Sequence, residues 1–296
     1  MGDPAMSLWK ALRDGITTAT RIPAPLVLWF VAYLAAALVL TLPVVTALNS
    51  WVGHHLAARD LARDFDGLLL IEPVLNSSAM LQGGQITPGA QAEGQAASTT
   101  LLAMGATVLV AGPLGTLFNA VLGGGVLLTY AEGHFAWRRF LWGVWHWLLA
   151  FLVLAVLWCV CAVFVVALGA GLLAVPASAL QIPALVLTAL VYVASVMTLE
   201  YARAIAIVEG TRNIFRALGR AAAFMVRQPV QAVGLYLLMT APGLALILLY
   251  SGLIAPSIPF EWGLAAVAAQ QLFIVARLWM RLAHWASQVA LYRQWR

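Results

Sequence analysis

From Phe140 to Leu199 the chain carries no aspartate, glutamate, lysine or arginine. A water-soluble helix needs one polar face, and nothing in this stretch supplies one over that length. Uncharged runs recur between Arg21 and Arg59, between Glu93 and Glu132, and between Arg227 and Glu261. Over all 296 residues, 63% are hydrophobic and 9% charged, with a mean hydropathy of +0.94. Soluble domains run about 45–50% apolar and about 25% charged. A soluble enzyme is therefore excluded. So are a disordered chain, which needs the opposite composition, and a disulfide scaffold, which needs more than two cysteines.

A bilayer-spanning helix takes about 20 mostly apolar residues. Six runs qualify, at 25–48, 101–129, 141–174, 181–203, 231–254 and 262–285. They are continuous and rich in Leu, Ala and Val, whereas a barrel strand would alternate over about ten residues. The sequence predicts an all-α integral membrane protein forming a single membrane domain over residues 1–296, its six transmembrane helices arranged as three hairpins. With the N-terminus in the cytoplasm, 14 of the 16 lysines and arginines fall on cytoplasmic segments, and only Arg59 and Arg63 lie outside. The acidic residues divide almost evenly, so the asymmetry is specifically basic, as the positive-inside rule requires. The expected location is a bacterial inner membrane, multi-pass, with both termini cytoplasmic. The first apolar run starts near Pro25 and is long enough to span, so it reads as a retained anchor and not a cleaved signal. Met1-Gly2 lacks the downstream Ser or Thr of a myristoylation site. The net charge of +5 sits at span ends, where it meets anionic headgroups; no nucleic-acid partner is implied. Cys159 and Cys161 are two apart on one helix, point to nearly opposite sides and read as small apolar fillers.

Residues 8–23, LWKALRDGITTATRIP, align with 214–229, IFRALGRAAAFMVRQP, at an offset of 206. Ala11 matches Ala217, Leu12 matches Leu218, Arg21 matches Arg227 and Pro23 matches Pro229. Each segment predicts an amphipathic elbow helix on the cytoplasmic side, over 7–22 and 211–228, that ends at a proline before a span. A weaker third copy starts at Phe135. In the 211–228 helix, Thr211 is the expected N-cap. Arg212, Arg216 and Arg220 form one stripe, a contact for lipid headgroups or a partner, and Ile214, Phe215, Leu218, Ala221, Ala222 and Met225 fill the other face. Trp137, Trp142, Trp145 and Trp147 crowd the start of the third span, and Trp51 and Trp262 mark the outer surface, as belt residues do.

Residues 49–100 form the one sizeable extracytoplasmic segment, too short and too weakly patterned for a core of its own. It holds His54, His55, Asp60, Asp64 and Asp66, residue types that ligate metals. Their spacing is not that of a known site, and Arg59 and Arg63 compete for the carboxylates. His146 and His284, near the cytoplasmic ends of the third and sixth spans, are the two positions from which a chlorin or haem could be ligated. No cofactor is firmly predicted, and bound lipid is expected.

The last span is unusual in carrying Arg277, Arg281, His284 and Gln288 on one face. Charges at that depth need partners. Glu200, Arg203 and Glu209 at the end of the fourth span supply them, so an ion-pair network of Glu200, Arg203, Glu209, Arg277 and Arg281 is expected to tie the fourth span to the sixth. Gly105, Gly112, Gly115 and Gly123 to Gly125, with Pro113, punctuate the second span. Such residues either line a substrate site or let helices pack closely.

The run Tyr201-Ala-Arg-Ala-Ile-Ala-Ile-Val-Glu209, then Ala217-Leu218, Phe224-Met-Val-Arg-Gln-Pro229, Ala276-Arg-Leu-Trp and Ala286-Ser-Gln-Val-Ala-Leu-Tyr292, resembles a group of bacterial six-helix membrane proteins. These are similar to the membrane domain attached to some glycerophosphodiester phosphodiesterases and to the YciC-like proteins. The motifs cover roughly the last hundred residues. The resemblance implies a fold and a location; the soluble phosphodiesterase domain has no counterpart here, so no hydrolase activity is implied. The spans hold no paired acid and base. The expected function is a non-catalytic structural or accessory subunit of a larger membrane complex, one that could hold pigment or haem; the alternative is a transporter or lipid-handling protein.

Overall fold

The computed structural model describes residues 4–52, 115–174, 181–254, 257–258 and 262–296. These are almost wholly helical. Helix α1 spans Pro4–Arg21, α2 Ala24–Val52, α3 residues 115–132, α4 Trp137–Ala174, α5 Gln181–Glu209, α6 Ile214–Arg227, α7 Pro229–Leu249 and α8 Gly263–Trp295; α7 runs on into a π turn, Tyr250–Ile254. Among the described residues, four helices are long and apolar enough to cross a membrane: Trp137–Val165, Val186–Glu209, Pro229–Ile254 and Gly263–Trp295. A fifth crossing is reached if Leu8–Arg21 and Ala24–Val39 are counted together, although they meet at 69°. Most of the run at 101–129 lies outside the described residues; its last part is α3.

The 69° bend falls where the sequence placed the first joint. Pro23 lacks an N–H and disfavours a helical residue before it, so α1 stops at Arg21 and α2 starts afresh at Ala24. The aligned joint repeats this: α6 stops at Arg227 and α7 opens on Pro229. The third copy does not form an elbow. Phe135 and Ala136 lead directly into α4, because the chain turns earlier, at Gly133, whose φ of 76° only glycine adopts cheaply.

The 211–228 helix also differs in detail. Its N-cap is Asn213, not Thr211: the Asn213 side chain accepts a hydrogen bond from the Arg216 N–H at 3.1 Å. Thr211 is instead used to close α5. Gly210 takes φ 64°, its N–H donates to the Ile207 carbonyl, and the Thr211 N–H donates to that of Ala206, a Schellman stop. The buried stripe of α6 is Ile214, Ala217, Ala221 and Phe224, whereas Phe215, expected on the inner face, is exposed. The 3.6-residue period selects positions 214, 217, 221 and 224 together; Phe215 lies about 100° around from Ile214.

The chain divides into two units. The first comprises Met1–Trp29, Thr116–Leu249 and Phe273–Arg296. Its core holds Trp29, Phe151, Leu154, Tyr201, Phe224, Leu282 and Trp285, with Trp29 and Trp285 edge to face at 5.1 Å. Here α4 packs on α5, α5 on α6, and α1 on α7. Glycines set the closest crossings. A Cβ on Gly124 would stand 2.7 Å from the Gly143 carbonyl oxygen, and one on Gly125 would stand 2.8 Å from that of Phe140, so α3 and α4 touch backbone to backbone. A Cβ on Gly15 would run into the Ser287 backbone nitrogen, which puts α1 directly on α8. The second unit comprises Phe30–Gly115 and Tyr250–Leu272. Its described helix faces expose Leu34, Leu38, Val39, Leu253, Leu264, Val267 and Leu272.

Candidate functional site

Polar side chains within the first unit gather at the ends of α5 and α8. Because Gly210 halts α5, Glu209 is left at its C-terminus, and the short loop brings α6 back alongside. Glu209 pairs with Arg220 of α6 and accepts a hydrogen bond from the Tyr292 hydroxyl of α8 at 2.6 Å. Its side chain is 6% exposed, so a carboxylate taken out of water is repaid by one cation and one hydroxyl. The hydrogen bond that Arg220 donates to the Glu209 carboxylate raises its guanidinium above the ordinary arginine range. Phe224, Tyr292 and Trp295 pack ring to ring beside it.

A second group lies further along the same helices. Arg203 of α5 is buried and close enough to Glu200 and Arg281 to feel both charges. Arg281 rests over the Trp285 ring at 5.4 Å. His284 lies edge-on to Tyr236 of α7 at 5.2 Å and 2.9 Å from the Gln288 amide. The Tyr201 hydroxyl donates to the Ala232 carbonyl at 3.0 Å, binding α5 to α7. The Arg203 Nε and one Glu200 oxygen have no hydrogen-bond partner among the described residues.

The structure thus distributes the five residues expected in one network. Glu200 and Arg281 lie near enough to Arg203 to act on its charge, but no ion pair joins the three among the described residues. Glu209 goes to Arg220, a residue assigned from sequence to the headgroup stripe. Arg277 is exposed and makes no hydrogen bond or ion pair among the described residues. The stripe itself is divided: Arg212, which precedes the helix, donates to the His146 backbone carbonyl at 2.9 Å, Arg220 faces Glu209, and Arg216 is exposed. The His146 ring stacks on Trp142 at 4.2 Å and meets the Trp147 edge at 5.2 Å, an aromatic cradle. His284 is engaged by Gln288 and Tyr236. His54, His55, Asp60, Asp64, Asp66, Gly105, Gly112 and Pro113 lie outside the described residues. Among the described residues, no three His, Cys, Asp or Glu side chains are grouped to hold a metal.

Sequence reasoning missed Tyr292, Tyr236 and Tyr130. Tyr292 had a signal: it is eight residues, about two turns, beyond His284, near the helix face already marked by Arg277 and Arg281. Glu209 had another, since Gly210 immediately after it is a helix-stop signal that would have turned α6 toward the carboxylate.

No protein-family model matches the chain, and no curated protein and no solved structure is significantly similar to it.

Proposed function

We propose that this chain is a non-catalytic integral membrane protein of a bacterial inner membrane, serving as an accessory subunit packed against a larger membrane complex. It crosses six times, in three hairpins, with both termini and both elbow helices at the cytoplasmic face. The observation that carries the reading is how the glycine-rich segment is used. Gly124 and Gly125, described within the broken second span, are filled by the backbone of α4, which leaves no substrate space at that crossing. The spare surface is apolar instead. Trp145, Leu149, Val156, Val160 and Val163 line one exposed face of α4, and Val186, Leu190 and Val193 one of α5. Bilayer and partner helices both suit such faces.

The test is gentle-detergent purification of the full chain from its own membranes, recording particle size and absorption spectrum together. The expected result is a particle several times the 31.6 kDa of the chain, with other subunits present. Its visible and near-infrared bands then identify a pigment- or haem-containing complex, or neither. A small colourless particle carrying only lipid overturns the reading.

One observation favours a second reading, transport. Glu200, Arg203, Arg281 and His284 are ionisable groups on candidate spans, with Glu200 and Arg281 near enough to act on the charge of both Arg203 and His284, and such groups mark substrate and ion pathways. Uptake by reconstituted vesicles that is abolished by Glu200→Gln would favour it.

A further inference from the structure

A groove of about 300 Å³ runs between α1 and α8, with Tyr130 of α3 in its wall. Its polar lining is Lys10, Asp14 and Thr18 from α1 and Arg293 and Gln294 from α8. The close approach of Gly15 to Ser287 clamps the two helices together beside it. Arg293 is anchored through one guanidinium nitrogen, which donates to the Ala131 carbonyl. The Lys10 ammonium has no partner among the described residues. Tyr130 is 4% exposed, and its hydroxyl has no hydrogen-bond partner among the described residues. A buried hydroxyl is costly to leave unpaired, and this one, in the groove wall and bonded to no described protein group, is a donor available to a ligand there.

We propose that this groove binds the headgroup of an acidic phospholipid, a phosphodiester bearing free hydroxyls as in phosphatidylglycerol. Four features select it. Lys10 and Arg293 supply two cations for one phosphate, and Tyr130 a third donor. Asp14 turns away a second negative charge and accepts a hydrogen bond from a headgroup hydroxyl. The volume lies at the low end of ligand sites, ~300–1,000 Å³, a headgroup's size and not a whole lipid's. The groove also sits where a lipid is at hand. Helix α1 exposes Trp9, Lys10, Arg13 and Arg21, and runs at its kink into the apolar α2. That is the pattern of a helix lying in the interface. A wider hollow of about 570 Å³ continues along α1, sharing Lys10 and Asp14 and bordered by Arg13 and Arg21.

The site is tested by native mass spectrometry of the detergent-purified full chain, titrated with phosphatidylglycerol, phosphatidylethanolamine or inorganic phosphate. Phosphatidylglycerol is expected to be retained as a single tight equivalent, ahead of phosphatidylethanolamine, whose ammonium would satisfy Asp14 but adds a cation beside Lys10 and Arg293. Each surface cation contributes about fivefold to acidic-lipid affinity, so Lys10→Gln with Arg293→Gln weakens it by roughly 20- to 30-fold. Tyr130→Phe keeps the ring, removes an unpaired buried hydroxyl and so retains the fold; it is expected to weaken binding by about three- to tenfold. The control, Arg277→Gln, removes an exposed cation about 24 Å along α8 from Arg293 and changes it by less than about twofold, because charges beyond roughly 8 Å are screened at physiological salt. Equal retention of phosphatidylethanolamine overturns the proposal. So does displacement by inorganic phosphate at equal concentration, an unchanged Tyr130→Phe, or a control loss matching that of Lys10→Gln with Arg293→Gln.

Discussion

At the scale of single residues, the pairing of Glu209 explains why a carboxylate persists at the end of so apolar a helix. It is nearly buried, and only Arg220 and the Tyr292 hydroxyl compensate it. Removing the hydroxyl with Tyr292→Phe is expected to lower stability by about 1–2 kcal/mol, because the lost bond runs to a charged acceptor. Glu209→Gln is expected to cost more than Tyr292→Phe, since it also strips Arg220 of its counter-charge. The two changes together should fall short of their sum by about 1 kcal/mol if the groups are directly coupled. Thermal unfolding of the three variants in one detergent measures this, and strict additivity would show that Tyr292 and Glu209 act independently. None of this trio could be assembled from sequence. Glu209 and Arg220 were each visible as charges near a span end, but their meeting depends on the Gly210 stop, the Asn213 cap and the register of α6. A helical wheel gives a face and not its neighbour, which is why Arg220 reads from sequence as a lipid contact.

At the scale of helices, the repeat carries its burial pattern as well as its letters. Ala11 and Ala217 are both buried, and so are Gly15 and its counterpart Ala221. The repeated proline was legible because its effect is local: it removes a donor and constrains the residue before it. What each elbow rests on was not legible, since lipid-facing and protein-facing surfaces are both apolar. Glycines supply the missing discrimination once the packing is known. Gly15→Ala forces its methyl group into the Ser287 backbone and should loosen α1 from α8, speeding trypsin cleavage of the frayed helix after Arg13 and lowering the thermal midpoint. Gly219→Ala on α6 meets open space and should instead stabilise by about 0.5–1 kcal/mol through helix propensity. If Gly15→Ala leaves both proteolysis and melting unchanged, the contact between α1 and α8 is not what seats the elbow.

At the scale of the whole molecule, the proposed six crossings rest on the distribution of arginine. The four long apolar helices together with α2 make five, and an odd number would set the end of α8 on the opposite side from α1. Arg293 and Arg296 would then lie across the membrane from Lys10, Arg13 and Arg21, against the positive-inside bias. The proposed sixth crossing would remove the conflict, and the uncharged run from Leu101 to Ala131, whose described part is α3, is long enough to supply it. On the same proposal, residues 49–100, with Arg59 and Arg63, would belong to the other face. Single-cysteine reporters on a Cys159→Ala, Cys161→Ala background separate the two counts. Ser98→Cys should react with a membrane-impermeant maleimide in intact spheroplasts. Ser7→Cys and Gln294→Cys should react only after permeabilisation. Labelling of Gln294→Cys from outside, with Ser7→Cys protected, would establish five crossings. It would also overturn the groove between α1 and α8, whose lining holds Lys10 and Gln294 side by side on one face.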